Sequence, residues 1–167
     1  MGDGRTDERK YAAFLAAAAM LNRQLGVTPL LFGSLGLEQR LGVPLAPDDI
    51  DVLLPERWLT GDWRRTAALM GSMGYGLVDE HEHEFANGDL RIAFAAIESL
   101  EPFAGVDINH IPLVRDQDAE YLLLTLPDYL KVYEASSRDG YRKNVKNKQD
   151  QRKTELIRKA LKEGEKT

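Results

Sequence analysis

The chain has 167 residues, 43% of them hydrophobic, which is enough for one sizeable core but too few for two ordinary domains and a linker. It contains no cysteine, which excludes disulfides, thiolate catalysis and cysteine-based metal clusters and favours a cytoplasmic protein. The net charge of −5 combines an acidic body with a basic end, since residues 141–167 carry 10 Lys and Arg against 4 Asp and Glu. The acidic body disfavours broad nucleic-acid binding, and the polar start of the chain predicts neither a signal peptide nor a membrane helix.

Hydrophobic periodicity predicts ten elements. In chain order they are a helix at 6–25, a strand at 28–32, a helix at 34–41, a strand at 50–54, a helix at 58–73, strands at 76–85, 90–96 and 106–111, and helices at 125–136 and 140–163. Thr6 is the expected cap of the first helix, and Asn87-Gly88 predicts a tight hairpin turn. The expected fold is a single α/β (α+β) domain over 1–163, with a mixed sheet of about five strands flanked by helices and a disordered tail at 164–167.

Two acidic residues stand one apart in the second predicted strand. The two-residue period of a strand places Asp49 and Asp51 on one face and Ile50 on the other. Two carboxylates held so close call for a cation, and Mg²⁺ prefers one or two carboxylates together with waters and substrate phosphates. The pair therefore predicts a magnesium site.

The first predicted strand ends at Gly33-Ser34, where a helix begins. Glycine allows a ligand to approach the backbone closely, and the free N–H groups of a helix N-terminus attract anions. A triphosphate is the anion expected at this turn.

An apolar strand ending in Gly33-Ser34, followed after a loop by Asp49-Ile50-Asp51-Val52, resembles the signature of the nucleotidyltransferase superfamily, which includes the polymerase-beta-like enzymes. Asp107, in Val106-Asp107-Ile108, matches the third carboxylate of that pattern. The resemblance implies a nucleotidyltransferase-like fold. It also implies that Asp49, Asp51 and Asp107 hold two Mg²⁺ ions and that Gly33 and Ser34 hold a nucleoside triphosphate.

The segment Lys146-Asn147-Lys148-Gln149-Asp150 is similar to a Lys-and-Asp helix motif of a bacterial subset with minimal and toxin-type members. The resemblance implies that Lys146 and Lys148 contact phosphate, with a weaker case for Asp150. The alternative is a tail helix that packs by its apolar stripe and leaves its charges in solvent.

His81-Glu82-His83-Glu84 invites a transition-metal interpretation, but a polar solvent-facing strand is the favoured one, because no third ligand has diagnostic spacing. His110 is interpreted as a surface or hydrogen-bonded residue.

The leading hypothesis is Mg²⁺-dependent transfer of a nucleoside monophosphate to a hydroxyl on a small molecule, a protein or RNA. No separate acceptor-binding domain follows the predicted core, which leaves a homodimer as one source of acceptor-binding surface. Two alternatives stay open. One is a non-catalytic nucleotide-binding domain of the same fold, favoured if Asp107 is displaced. The other is an interaction module of a toxin or phage-defence system.

Overall fold

The computed structural model of the chain describes residues 6–138 and 145–165, and within the last helix it describes side chains from Asp150 to Gly164. The α-helices are α1 Glu8–Met20, α2 Gly33–Leu41, α3 Trp63–Ser72, α4 Leu100–Ala104, α5 Leu126–Arg138 and α6 Val145–Glu165. The strands are β1 Leu30–Phe32, β2 Ile50–Leu54, β3 Gly76–Asp79, β4 Glu84–Asn87, β5 Leu90–Ala96, β6 Leu113–Asp116 and β7 Ala119–Leu122. The predicted mixed α/β class is confirmed.

The strands form one sheet in the order β3-β4-β5-β2-β1-β7-β6. The pairs β2–β5 and β1–β7 are parallel, whereas the other neighbouring strands are antiparallel, so the sheet is mixed as predicted. Strand β2 lies between β1 on one side and β5 on the other. Its residues therefore sit near the middle of the sheet.

Alternation along β2 and β5 separates a closed face of the sheet from an open one. Ile50, Ile92 and Phe94 are at most 3% exposed, because they point into the core on the closed face. Burying each such side chain contributes roughly 1.5–3 kcal/mol. On the opposite face Ala93 is half-buried and Ala95 is exposed. Room therefore remains above β2 and β5 on the face that carries Asp51.

Helix α1 packs on β7 and closes one side of the core. Phe14 meets Tyr121 edge to face with 5.0 Å between ring centroids, and the hydroxyls of Tyr11 and Tyr121 are 2.8 Å apart. The side chain of Asp7, and not Thr6 as predicted, caps the helix by accepting a hydrogen bond from the N–H of Lys10. The helix continues through a π-helical turn, Leu21–Leu25, so its predicted end is confirmed.

The predicted number of about five strands is wrong, because the sheet has seven. The single strand expected at 76–85 is two antiparallel strands, β3 and β4, joined by a turn. The strand expected at 106–111 is a loop that follows α4, and the next strands form the hairpin β6–β7. Val106 and Ile111 are nevertheless buried, so their apolar character anchors a loop rather than a strand.

The closing helices agree with expectation in type and differ at their ends. Helix α5 continues two residues beyond the predicted 125–136, and α6 reaches Glu165, so the predicted tail at 164–167 begins inside a helix. None of the helices in the described ranges has both the length and the apolar content needed to cross a bilayer.

Candidate active site

A glycine forms the turn between β1 and α2. Gly33 has φ +65°, in the left-handed region that favours glycine, and it is the first residue of α2. The N-cap residue, Phe32, makes no side-chain capping hydrogen bond. The N-terminus of a nine-residue helix therefore opens beside Gly33 and Ser34, an arrangement that attracts anions.

Asp51 lies directly against this turn. Strand register places Asp51 beside Phe32, the last residue of β1. A Cβ atom added to Gly33 would come within 2.5 Å of Asp51 Oδ2, so a side chain there would displace the carboxylate. The structure thus brings together Gly33, Ser34 and Asp51.

Tyr129 of α5 contacts the β1–α2 turn through both its hydroxyl and its ring. Its side chain is fully buried, and its hydroxyl lies 3.4 Å from the carbonyl oxygen of Leu31 and 3.3 Å from that of Gly33. Its ring stacks on Phe32 with 6.5 Å between ring centroids. Burial raises the pKa of Tyr129 well above its usual range, so the hydroxyl remains protonated and can donate to these carbonyls. Tyr129 is a positioning residue for the β1–α2 turn.

Helices α5 and α6 face the turn across a cavity of about 190 Å³, which we call the helix-side cavity. Its lining comprises Phe32, Gly33, Ser34 and Asp51 from the strand region, Phe103 from α4, and Val132, Tyr133, Ser136, Asp150 and Lys153 from α5 and α6. The Nζ atom of Lys153 lies 5.5 Å from the centroid of the Tyr133 ring. A basic side chain therefore lines the same cavity as the helix N-terminus.

A buried hydrogen bond joins the two helices at the wall of this cavity. Ser136 Oγ donates to Asp150 Oδ2 at 2.8 Å, and both side chains are only 4% exposed. Thr154 Oγ1 donates to the carbonyl oxygen of Asp150. Asp150 thus lies at the site, in a position where it can fix the angle between α5 and α6. Lys146 and Lys148 are on the first turn of α6, and their side chains lie outside the described set.

Asp49 precedes β2 and is half-buried. Burial, followed by the negative charges of Glu84 and Asp48, raises the pKa of its carboxyl. The loop that leads to it is held by the buried carboxylate of Glu38, which accepts a hydrogen bond from the N–H of Leu45 at 2.9 Å. Asp49 is thus a partly desolvated carboxylate that feels acidic neighbours, Glu84 and Asp48, and basic ones, Arg91 and Lys10.

The strand next to β2 brings no acidic residue to Asp51. The register places Ala93 of β5 beside Asp51, and Glu84 of β4 beside Ala93 on the far side. The carboxylate of Glu84 pairs with Arg91 at 3.4 Å. Glu84 therefore lies two strands away from Asp51 in the same row of the sheet.

The structure does not bring Asp107 together with Asp49 and Asp51. In the described part of the chain, no three His, Cys, Asp or Glu side chains form a group that could hold a metal ion. Asp107 is exposed; its carboxylate accepts a hydrogen bond from the N–H of Asn109 at 3.0 Å and lies 2.6 Å from Nδ1 of His110. These contacts, led by the Asn109 N–H, lower the pKa of Asp107. Its predicted strand is absent because Gly105, at φ +71°, ends α4 and starts a loop.

The histidine pair of the predicted metal motif lies in the turn between β3 and β4, so the expected strand alternation is wrong there. The His81 side chain is 92% exposed. His83 has φ +50° and packs edge to face against Trp63, with 4.6 Å between ring centroids. The favoured solvent-facing interpretation holds for His81, whereas His83 has an aromatic neighbour.

A second cavity, of about 310 Å³, opens on the β5 side of β2, and we call it the strand-side cavity. Its lining is Phe32, Asp51, Val52, Leu53, Glu82, Ala93, Phe94, Ala95, Ser99, Leu100 and Phe103. It shares Phe32, Asp51 and Phe103 with the helix-side cavity. Asp51 therefore lines both cavities.

A larger cavity of about 550 Å³ lies elsewhere, between α1 and the turn that joins β6 to β7. Alanines of α1 line much of its wall, and Arg23 and Asp118 stand among its few charged groups. It lacks the combination of carboxylate, basic residue and helix N-terminus that the helix-side cavity provides. Size alone does not make it the candidate site.

Sequence reasoning missed Lys153, Tyr129 and the aromatic wall formed by Phe103. One signal was available for Lys153, because Asp150 and Lys153 are three residues apart on a predicted helix and therefore share a face. The position of Tyr129 under Gly33 depends on tertiary packing, and no local pattern in the sequence indicates it.

No protein-family model matches the sequence. The chain is similar to the Bacillus subtilis (strain 168) protein YnaI, which is described as uncharacterized: 43% of 151 residues are identical, over 90% of this chain and 97% of that protein. Among solved structures, the antibiotic-resistance factor ANT(2'')-Ia is similar over 94% of each chain, with a TM-score of 0.49 and 15% identity.

Proposed function

We propose that the chain is a magnesium-dependent nucleotidyltransferase that moves a nucleoside monophosphate from a triphosphate to a hydroxyl acceptor. The chain belongs to the same family as Bacillus subtilis YnaI. The observation that carries this proposal is the contact of Asp51 with Gly33 at the N-terminus of α2, opposite Lys153. A phosphate chain needs such a combination of backbone N–H groups and a cationic side chain. The nucleotidyltransferase-like character of the fold is part of the same proposal.

The donor set suits one magnesium ion carried by the triphosphate. Asp51 and Asp49 would hold it, because Mg²⁺ takes one or two carboxylates and completes its shell with phosphate oxygens and water. The pKa of Asp49 is raised by burial first and by the negative charges of Glu84 and Asp48 second, and a bound cation would favour its ionised form. When bound, the ion neutralises phosphate charge near the reacting phosphorus. Among the described residues, no third carboxylate joins this pair to hold the second ion that the sequence predicts.

The chain's own residues would perform the remaining work by binding and orientation. The N-terminus of α2 with Ser34 binds the β- and γ-phosphates, and Lys153 balances their charge from α6. In the transfer, the acceptor oxygen forms a bond to the α-phosphorus while the bond from that phosphorus to the bridging oxygen breaks. Pyrophosphate leaves with the electron pair, and the hydroxyl proton passes to solvent. Holding the reactants in line lowers the barrier without a protein nucleophile.

A second candidate, nucleotide binding without transfer, is favoured by one observation. Asp107, which the resemblance makes the third carboxylate of the metal site, is exposed and bonded to its own loop. Such a protein would bind the nucleotide through the same turn and release it unchanged.

Two measurements test the pair of candidates. Calorimetry with Mg²⁺ and a non-hydrolysable analogue of each of the four nucleoside triphosphates reports binding, and release of labelled pyrophosphate in the presence of a mixture of hydroxyl compounds reports transfer. Binding with pyrophosphate release supports transfer. Binding without pyrophosphate release supports the second candidate. If the analogue does not bind, or if its binding does not depend on Asp51, both candidates are contradicted.

A further inference from the structure

The strand-side cavity occupies the side of Asp51 opposite to the proposed phosphate site. The helix-side cavity is built on β1 and the α2 N-terminus, whereas the strand-side cavity is built on β5. Strand β2, which carries Asp51, separates β1 from β5 in the sheet. The two cavities therefore meet at Asp51 from opposite directions.

We infer that the strand-side cavity is the acceptor subsite and that it takes a small hydroxyl compound with an apolar face and no negative charge. The inference rests on the proposed function. In-line displacement requires the acceptor oxygen to approach opposite the leaving pyrophosphate. With pyrophosphate held at Gly33 and Ser34, the opposite approach to a phosphorus near Asp51 comes from the β5 side.

The floor of the cavity accounts for the apolar face. Leu53, Ala93 and Ala95 lie on the open face of the sheet, and their short or apolar side chains leave a flat surface. Phe103 also lines the cavity, and 46% of its surface is exposed, so its ring is accessible to a ligand. A ring or another flat apolar group fits between this floor and Phe103.

The charges around the cavity exclude an anionic acceptor. Among the described residues that line it, the two ionisable ones, Asp51 and Glu82, are both acidic, and none is basic. A volume of about 310 Å³ is at the lower end for a drug-sized ligand. An RNA end would bring phosphates next to two carboxylates, so a small alcohol without negative charge is the better fit.

The experiment uses the full chain saturated with Mg²⁺ and a non-hydrolysable ATP analogue. Two probes of similar size, 2-phenylethanol and phenylacetate, are titrated and followed by shifts of backbone amide signals in NMR spectra. We expect 2-phenylethanol to shift the signals of Ala93, Ala95 and Phe103 and phenylacetate to leave them unchanged. Ala95→Leu fills the cavity from an exposed position and should weaken binding of 2-phenylethanol by roughly tenfold or more. The affinity for the ATP analogue should stay within about twofold.

Ala16→Leu, on the exposed face of α1, is the matched control and should change neither affinity. Glu82→Lys reverses the charge at the mouth and should allow phenylacetate to bind. The inference is overturned if neither probe shifts the cavity residues, if Ala95→Leu binds the alcohol as well as the native chain, or if phenylacetate binds the native chain equally. A large loss of ATP affinity in Ala95→Leu would also overturn it, because the cavity would then hold the nucleobase. Failure of the native chain to bind the ATP analogue is a different result and counts against the proposed function itself.

Discussion

Asp51 and Asp107 stand in almost identical local sequences, Ile50-Asp51-Val52 and Val106-Asp107-Ile108, yet the structure gives them different surroundings. Asp51 is paired on both sides by β1 and β5 and faces Gly33. Asp107 lies in a loop after α4 and is bonded to residues two and three positions further along the chain. Apolar flanks therefore show that a segment is anchored in the core, but pairing with neighbouring strands decides where its acidic residue points.

The largest expected effect compares these two aspartates directly. Asp51→Asn should lower the affinity for a magnesium–ATP analogue by roughly 100-fold, because it removes a charged ligand in a partly desolvated cavity. Asp107→Asn should leave that affinity within about twofold. Calorimetry on the two variants measures both values. Equal losses would show that the loop of Asp107 reaches the nucleotide.

Gly33→Ala tests the turn that Asp51 contacts. Because Gly33 has a left-handed φ of +65°, which is unfavourable for alanine, the substitution should lower the free energy of unfolding by roughly 1–2 kcal/mol. The added Cβ should also push the Asp51 carboxylate aside and weaken nucleotide binding by about tenfold or more.

Gly42→Ala is the matched control, since Gly42 has φ +70° and no atom within 4 Å of an added Cβ. It should lose similar stability in chemical denaturation and keep its nucleotide affinity. Equal loss of affinity in both variants would show that backbone strain, and not the Asp51 contact, is responsible.

Lys153→Ala tests the helical side of the site. Removal of this cation from the helix-side cavity should weaken nucleotide binding by roughly tenfold at low salt. The loss should be smaller at high salt, because salt screens the attraction between Lys153 and the phosphates in the native chain. Lys159→Ala removes an exposed charge from the same helix and should have little effect. Equal effects of the two variants would indicate a general attraction to the basic helix.

The smallest effect concerns Asp49. The pKa of Asp49 is higher in the folded chain than the value of 3.8 expected in the unfolded chain. The free energy of unfolding therefore decreases as the pH rises from 3.8 through the folded pKa, and it decreases no further above that pKa. Asp49→Asn should therefore raise the melting temperature at pH 7 by a few degrees at most and have no such effect at pH 3. Thermal unfolding at the two pH values checks this, and a lower melting temperature at pH 7 would contradict the assigned environment.

Much of the fold followed from the sequence because periodicity is a local property. The strand that bears Asp51, the glycine turn and the Asn87-Gly88 hairpin all depend on short segments, and the structure contains each of them. The hairpin β6–β7 and the loop at 106–111 were missed, since burial of Val106 and Ile111 imitates a strand.

Only the part of the candidate site that β1, α2 and β2 contribute was predictable from the sequence. The residues that α5 and α6 contribute depend on how those helices cross over the sheet. Helical spacing shows that Asp150 and Lys153 share a face, but it does not show that this face meets Gly33. The strand-side cavity depends on the two alanines of β5, which carry no chemical signal in the sequence.

A crystal structure with Mg²⁺ and a non-hydrolysable ATP analogue tests the central claim most directly. We expect the β- and γ-phosphates at the N–H groups of Gly33 and Ser34 and a magnesium ion between the Asp51 carboxylate and the phosphates. A nucleotide bound elsewhere, or phosphates placed away from both Gly33 and Asp51, would contradict the account.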